Sequence, residues 1–251
     1  MEIARRTPHP ALASHVRSLA GWHERADGPV ARDELPGARI VLVVSLGPSM
    51  EIDGRRFESF AAGLHDAPAH TEHAGLGHGI QAYLSPLGGQ RLFGMPMGEL
   101  TRDVVALEDL IGPAAHELAE RLTTAPGWAA RFDLFERAIA TRVLEAPPVA
   151  PELEWAWQRL LRSGGAAPVG ELAAELGWSR RHFTTSFREH VGLPPKALGR
   201  IVRFERAVER LREGAELADL ALDCGYYDQA HFNRDFRAFA GATPTEFRAA
   251  A

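Results

Sequence analysis

The C-terminal part of this chain contains one pattern twice, and a repeated pattern is most simply read as two like structural units. Leu172-Ala173 is followed by Gly177, Ser179, Phe183, Phe187, Gly192 and Pro195. Leu220-Ala221 is followed by Gly225, Asp228, Phe232, Phe236, Gly241 and Pro244. The leucines and first glycines are 48 residues apart, and the phenylalanines, second glycines and prolines 49, so the second copy carries one extra residue in its turn.

Each piece of the pattern has a local reason. Leu172 and Leu176, four apart, put an apolar stripe on a short helix, and Gly177 can take the positive φ that ends it. Ser179 offers an N-cap oxygen to a second helix, whose Phe183 and Phe187 turn inward against the first. The outer face of that helix carries Arg180, Arg181, Thr184, Thr185 and Arg188. In the second copy Leu217, Leu220 and Cys224 point inward, Gly225 is the stop and Asp228 the cap. With Phe232 and Phe236 buried, Gln229, His231, Asn233, Arg234 and Arg237 are left outside. Such side chains reach base edges and phosphates in a major groove, so both units, about 169–190 and 217–239, are expected to be DNA-facing helix-turn-helix units. Residues 195–213 read as one helix between them, with Leu198, Ile201, Val202, Ala207 and Leu211 as apolar positions. It would span roughly 28 Å at 1.5 Å per residue, against about 34 Å between successive major-groove faces on one side of DNA. Trp155, Leu160 and Leu161 suggest a further helix packed on the first unit.

On these residues the segment 152–248 resembles the DNA-binding domain of the AraC/XylS family of bacterial transcriptional regulators. The stretches that carry the likeness are Glu171-Leu172-Ala173, Gly177-Trp178-Ser179-Arg180-Arg181-His182-Phe183, Arg203-Phe204-Glu205-Arg206-Ala207, Gly225-Tyr226, Asp228-Gln229-Ala230-His231-Phe232 and the tail Gly241-Ala242-Thr243-Pro244-Thr245-Glu246-Phe247-Arg248. The resemblance implies that both recognition helices enter the major groove, with Arg181, Thr184, Thr185, Gln229, Asn233 and Arg234 as base or phosphate contacts. Tyr227 departs from the family, which usually has a small capping serine there, and the cap is expected to move to Asp228. Upstream, Leu35-Pro36-Gly37, Ser85-Pro86-Leu87-Gly88-Gly89 and Pro96-Met97-Gly98-Glu99-Leu100 are similar to an uncharacterised domain often found ahead of such DNA-binding domains. That similarity implies a partly cupin-like β domain followed by helices, used to bind an effector, to dimerise, or both.

The residues upstream agree with an α+β fold. From Pro36 to about Gly98 the chain is strand-like, with the run Ile40-Val41-Leu42-Val43-Val44 and a hairpin signal at Asp53-Gly54. Leu107, Leu110, Ile111, Leu118 and Leu122, then Phe132, Phe135, Ile139 and Val143, change to helical spacing. Pro147, Pro148 and Pro151 interrupt that spacing. The expected division is an antiparallel β domain with following helices over 1–146, a proline-rich linker over 147–151, and an all-α unit over 152–251 whose two helix-turn-helix units are joined by a long helix.

Charge and special residues narrow the function. The net charge is −5, yet residues 152–251 hold 14 basic and 14 acidic side chains of the chain's 28 and 33, so the excess acid lies upstream. A balanced half fits a DNA-facing part joined to one that need not touch DNA. The single cysteine, the N-terminus without an apolar core region and the lack of a long apolar run lead to the expectation of a cytoplasmic protein without a membrane partner. Ser85 is outside any nucleophile-elbow pattern, and Leu87-Gly88-Gly89 lacks the Lys-Ser/Thr of a phosphate loop, so no enzyme activity, catalytic residue or cofactor is expected. His65, His70, His73 and His78 do not have the His-x-His spacing of a cupin metal site, and no metal is expected. Trp22 and Trp128 line a ligand pocket or fill a core. The partners implied are double-stranded promoter DNA, a small-molecule effector whose contacts the sequence leaves unknown, a second copy in a homodimer, and RNA polymerase if the protein activates. The alternatives are a metal-binding or enzymatic cupin-like domain fused to a DNA-binding module, and an effector-independent DNA-binding protein.

Overall fold

The structure, a computed structural model, describes residues 1–250; Ala251, the end of the expected 152–251 unit, lies outside the described residues. Ten strands come first: β1 Glu2–Arg6, β2 Val16–Arg25, β3 Val30–Glu34, β4 Ile40–Ser45, β5 Met50–Ile52, β6 Arg55–Phe57, β7 Phe60–Ala62, β8 Ala69–His73, β9 Leu76–Leu84 and β10 Val104–Ala106. They form an antiparallel six-stranded sheet, β1-β2-β9-β4-β7-β10, and a four-stranded sheet, β3-β8-β5-β6. Helix α1, Pro86–Phe93, follows β9, and α2 Leu107–Ile111, α3 Ala114–Thr124 and α4 Gly127–Glu145 follow β10. The helical remainder is α5 Pro151–Arg162, α6 Val169–Glu175, α7 Arg180–Val191, α8 Pro195–Arg212, α9 Leu217–Asp223, α10 Gln229–Ala240 and α11 Pro244–Ala250. Antiparallel sheets followed by helices make this an α+β chain, as the sequence implies. Among the described residues no helix is long and apolar enough to cross a membrane.

Alternation along the strands of the large sheet gives it two different faces. Ile40, Leu42 and Val44 of β4 and Ile80, Ala82 and Leu84 of β9 are buried in a core shared with Leu87 and Leu92 of α1 and Phe132, Phe135 and Ile139 of α4. Their neighbours Val41, Val43, Gln81 and Tyr83 face the small sheet and line a cavity between the two layers. The Asp53-Gly54 turn joins β5 to β6 with both residues at positive φ, 48° and 78°, which matches the right-handed twist of the hairpin.

One sequence reading needs correction. Strands begin at Glu2 and not near Pro36: β2 spans ten residues, but its alternation is interrupted by a register shift between Val16 and Ser18. His70 and His73 both lie within β8. Helix α5 carries Trp155, Leu160 and Leu161 as expected, all in or against the main core, and its fully buried aromatic is Trp157, beside Leu153 and Ala156. That helix also starts at Pro151, whose missing N–H costs nothing in the first turn, so the proline closes the linker as the first helical residue.

The β-rich and helical halves touch. The main core runs without a break from the sheet through α1 and α4 into α5 to α10. Thr101 Oγ1 donates to the Gly192 carbonyl at 2.8 Å, and His190 Nδ1 lies 3.1 Å from Gln90 Oε1. A side chain at Gly98 would press within 2.7 Å of the Glu189 carbonyl, so the backbone after Pro96 packs directly on the end of α7. A second contact joins Arg39, before β4, to Glu205 on α8.

Candidate nucleic-acid interface

Both repeated units are built by the same backbone device. Gly177 and Gly225 sit at φ +67° and +78° after α6 and α9. The N–H groups of Gly177 and Trp178 close on Ala174 and Ala173, and those of Gly225 and Tyr226 close on Leu222 and Ala221. These are the paired bonds that end a helix at a left-handed glycine. Ser179 Oγ then accepts the His182 N–H at 3.2 Å, and Asp228 Oδ1 accepts the His231 N–H at 2.6 Å, capping α7 and α10. Tyr227, the extra residue, is 88% exposed, and the cap has moved to Asp228 as expected.

The inward faces are aromatic. Phe183 and Phe187 of α7 are fully buried, their ring centroids 5.5 Å apart. In the second unit Phe232 and Phe236 are buried with Phe239, and Phe204 of α8 lies 5.1 Å from Phe236 and 5.2 Å from Phe239. Cys224 is buried in this unit, and burial raises its thiol pKa. At each turn an aromatic packs on the histidine at the third helical position: Trp178 on His182 at 4.5 Å, Tyr226 on His231 at 5.3 Å.

The outer faces divide the expected contact residues into groups. On α7, Arg181, Thr185 and Arg188 are exposed and Thr184 is half-buried. Arg180 is also exposed, but its guanidinium lies where a side chain at Gly170 would go, folded back along the start of α6. On α10, Gln229, Asn233 and Arg234 are exposed, and Gln229 Nε2 donates to Asn233 Oδ1 at 3.4 Å. His231 and Arg237 are engaged elsewhere. His231 Nε2 lies 3.5 Å from the buried carboxylate of Asp235, and Arg237 lies 3.5 Å from Glu246.

Sequence reasoning missed Asp235, which holds the second unit to the connecting helix. Arg200 of α8 donates to both of its carboxylate oxygens, at 2.8 and 3.1 Å. Its signal was an acid on the inward face of an otherwise aromatic stripe, one residue before Phe236. Arg203, read in the sequence only as part of the family likeness, proves to be a clamp: its Nη1 donates to the Gly165 carbonyl at 2.7 Å and its guanidinium stacks on Tyr226. The tail closes by a reciprocal box in which Glu246 accepts from the Thr243 N–H and hydroxyl, and these bonds lower the Glu246 pKa.

The four upstream histidines do not converge. His70 pairs with Asp33 at 2.9 Å, His73 with Glu24 at 3.1 Å, and His78 Nε2 faces Arg131 at 3.1 Å. Burial lowers the pKa of His65 and His78. Trp22 lines the inter-sheet cavity, whereas Trp128 packs over Gly21 on the opposite face of the sheet.

Comparison with known proteins reaches the same units. The family model described as a helix-turn-helix domain matches residues 172–250. The probable transcription factor PqrA of Proteus vulgaris is 31% identical over 100 residues, which is 38% of this chain and 79% of PqrA. The chain belongs to the AraC-type helix-turn-helix regulators. The HTH-type transcriptional regulator Rv1931c of Mycobacterium tuberculosis is 34% identical over 90 residues, 36% of this chain, and the match spans about a third of Rv1931c, 35%. ToxT of Vibrio cholerae shares the fold over 92% of this chain and 98% of its own, with a TM-score of 0.50 at 10% identity. By their names Rv1931c is a transcriptional regulator and PqrA a probable transcription factor.

Proposed function

We propose that the protein is a one-component, sequence-specific DNA-binding transcriptional regulator, in which α7 and α10 enter neighbouring major-groove segments of one promoter site. The observation that carries this reading is the duplicated stop, cap and aromatic inner face, which leaves two polar helix faces free. Arg181, Thr184 and Thr185 on α7 and Gln229, Asn233 and Arg234 on α10 are the base or phosphate contacts. Arg180, Arg188, His231 and Arg237 act at phosphates or in holding the helices, since phosphate contacts set register without reading sequence.

The β-rich half, residues 1–146, is the effector-binding or dimerising part, partly cupin-like in organisation, and its inter-sheet cavity is the effector site. The protein acts in the cytoplasm, with RNA polymerase as a further partner if the output is activation. A ligand changes transcription only through different affinities for DNA-competent and DNA-incompetent arrangements, and the contacts between the halves are where such a difference would be expressed. Selection of duplexes from a random pool, followed by gel shift, tests the reading. It predicts a defined bound sequence that survives excess random competitor; retardation that random DNA abolishes equally would refute it.

A further inference from the structure

We infer that the cavity between the two sheets takes an uncharged, largely apolar small molecule that hydrogen-bonds the Gln81 amide and the Tyr83 hydroxyl, and that its filling is felt at α8 through residues 35–39. The inference rests on the regulator reading above and specifies its effector.

The register of the large sheet builds the floor. Ser18, Tyr83 and Val41 stand side by side across β2, β9 and β4, and Ala20, Gln81 and Val43 form the next row. Thr71 and Ile52, paired across β8 and β5, belong to the opposite layer. Together these residues line a void of about 400 Å³, a size ordinary for small-molecule sites. Val43, Ile52, Phe60 and Val104 form an apolar cluster of their own on its walls, with Trp22 and Met50 packed against them. That surface suits a hydrocarbon or aromatic body.

The charges around the cavity are largely matched. Glu24 is held by Arg32 at 2.6 Å and by His73 at 3.1 Å, and the Arg32 contact lowers the Glu24 pKa. Arg39 is bound to Glu205 and lies 4.7 Å over the Tyr83 ring. Arg5 and Glu34, of opposite sign, are exposed. Neither Arg5 nor Glu34 makes an ion pair among the described residues, but both stand in water, so an ionised ligand would give up its own hydration for a counter-charge that solvent already screens, whereas a neutral one loses little. The Gln81 amide and Tyr83 hydroxyl have no hydrogen bond to protein among the described residues' side-chain contacts, and both are half-buried on the cavity floor. An amide offers both a donor and an acceptor, so a ligand hydroxyl or amide satisfies it.

The rim of the cavity is also the grip on α8. Leu35, Pro36, Gly37 and Arg39 line one side. From the other side Glu205 accepts from the Ala38 N–H at 3.0 Å and from the Arg39 guanidinium. A side chain at Gly37 would come within 2.7 Å of Glu205 Oε1, so the segment has no slack there. A molecule packed on this rim favours the gripped arrangement, and by linkage breaking the grip weakens that molecule.

Fluorescence titration of the full chain with three naphthalenes of one shape tests this: 2-naphthol, its methyl ether and 2-naphthoate. The expected result is one saturable site for naphthol, with the ether and naphthoate each about tenfold weaker or more, the scale of one or two good hydrogen bonds. Gln81→Leu and, as a milder change, Tyr83→Phe should each weaken naphthol about fivefold and leave the ether unchanged. Glu205→Ala, outside the cavity, should weaken naphthol about threefold, a coupling at the low end of the usual range. Naphthoate binding tightest, naphthol unaffected by both floor variants, or no saturable binding by any of the three would overturn the site. Unchanged naphthol affinity in Glu205→Ala would overturn the coupling. Gel shifts with the selected duplex run separately, so a failed titration with intact DNA binding sinks this inference alone, and failed DNA binding sinks the regulator reading alone.

Discussion

The two helix-turn-helix units share a backbone plan but are fastened differently. The first is fixed from outside: the end of α7 rests on the segment around Met97, with Thr101 bonded to Gly192 and Gln90 to His190. The second is fixed from within the helical half, by the Arg200–Asp235 pair and the packing of Phe204 against Phe236 and Phe239. Among the described residues the first unit is therefore the one hydrogen-bonded directly to the β-rich half, while α8, which joins the two units, is gripped at Glu205. The same local code can be placed in two mechanical settings, and function depends on the setting as much as on the code.

The largest effect is expected where that contrast is made by a buried charge. Asp235→Ala leaves Arg200 without its partner and should cost about 2 kcal/mol in urea unfolding, since Arg200 is partly exposed and can be rehydrated. Amide exchange should rise in α10 and not in α7. Thr101→Val removes one hydrogen bond, costs about 1 kcal/mol and should do the reverse, loosening the end of α7 alone. If both variants loosened both recognition helices equally, the two-anchor picture would be wrong. A change read in DNA affinity and not in stability comes from Arg181→Ala and Arg234→Ala. Each should lower binding to the selected site by about 1–3 kcal/mol while random DNA binding barely moves. Equal losses on both DNAs would assign that arginine to a phosphate.

How much of this was legible in the sequence depended on how local the cause was. The stops at Gly177 and Gly225, the caps at Ser179 and Asp228 and the buried phenylalanine pairs are set by neighbours a few residues away, and all were readable. The β4 run and the Asp53-Gly54 hairpin were readable for the same reason. The first thirty-five residues were not, because β2 serves two different environments and its alternation is broken by a bulge. Nor were the long-range clamps: Arg39 and Glu205 are 166 positions apart, and Thr101 and Gly192 are 91 apart, with nothing in either neighbourhood to announce the other. Among the expected contact residues, His231 and Arg237 looked equivalent to Asn233 and Arg234 on a helical wheel. Only folding brings Asp235 and Glu246 against them.

The central claim is that α8, 18 residues and about 27 Å long, holds the two recognition helices at a separation matched to one turn of DNA. Inserting five base pairs between the two protected segments of the selected site puts them on opposite faces of the duplex and tests it directly. The account predicts that affinity falls to that of a single unit and that the footprint shrinks to one segment. Full affinity with both segments still protected would contradict it.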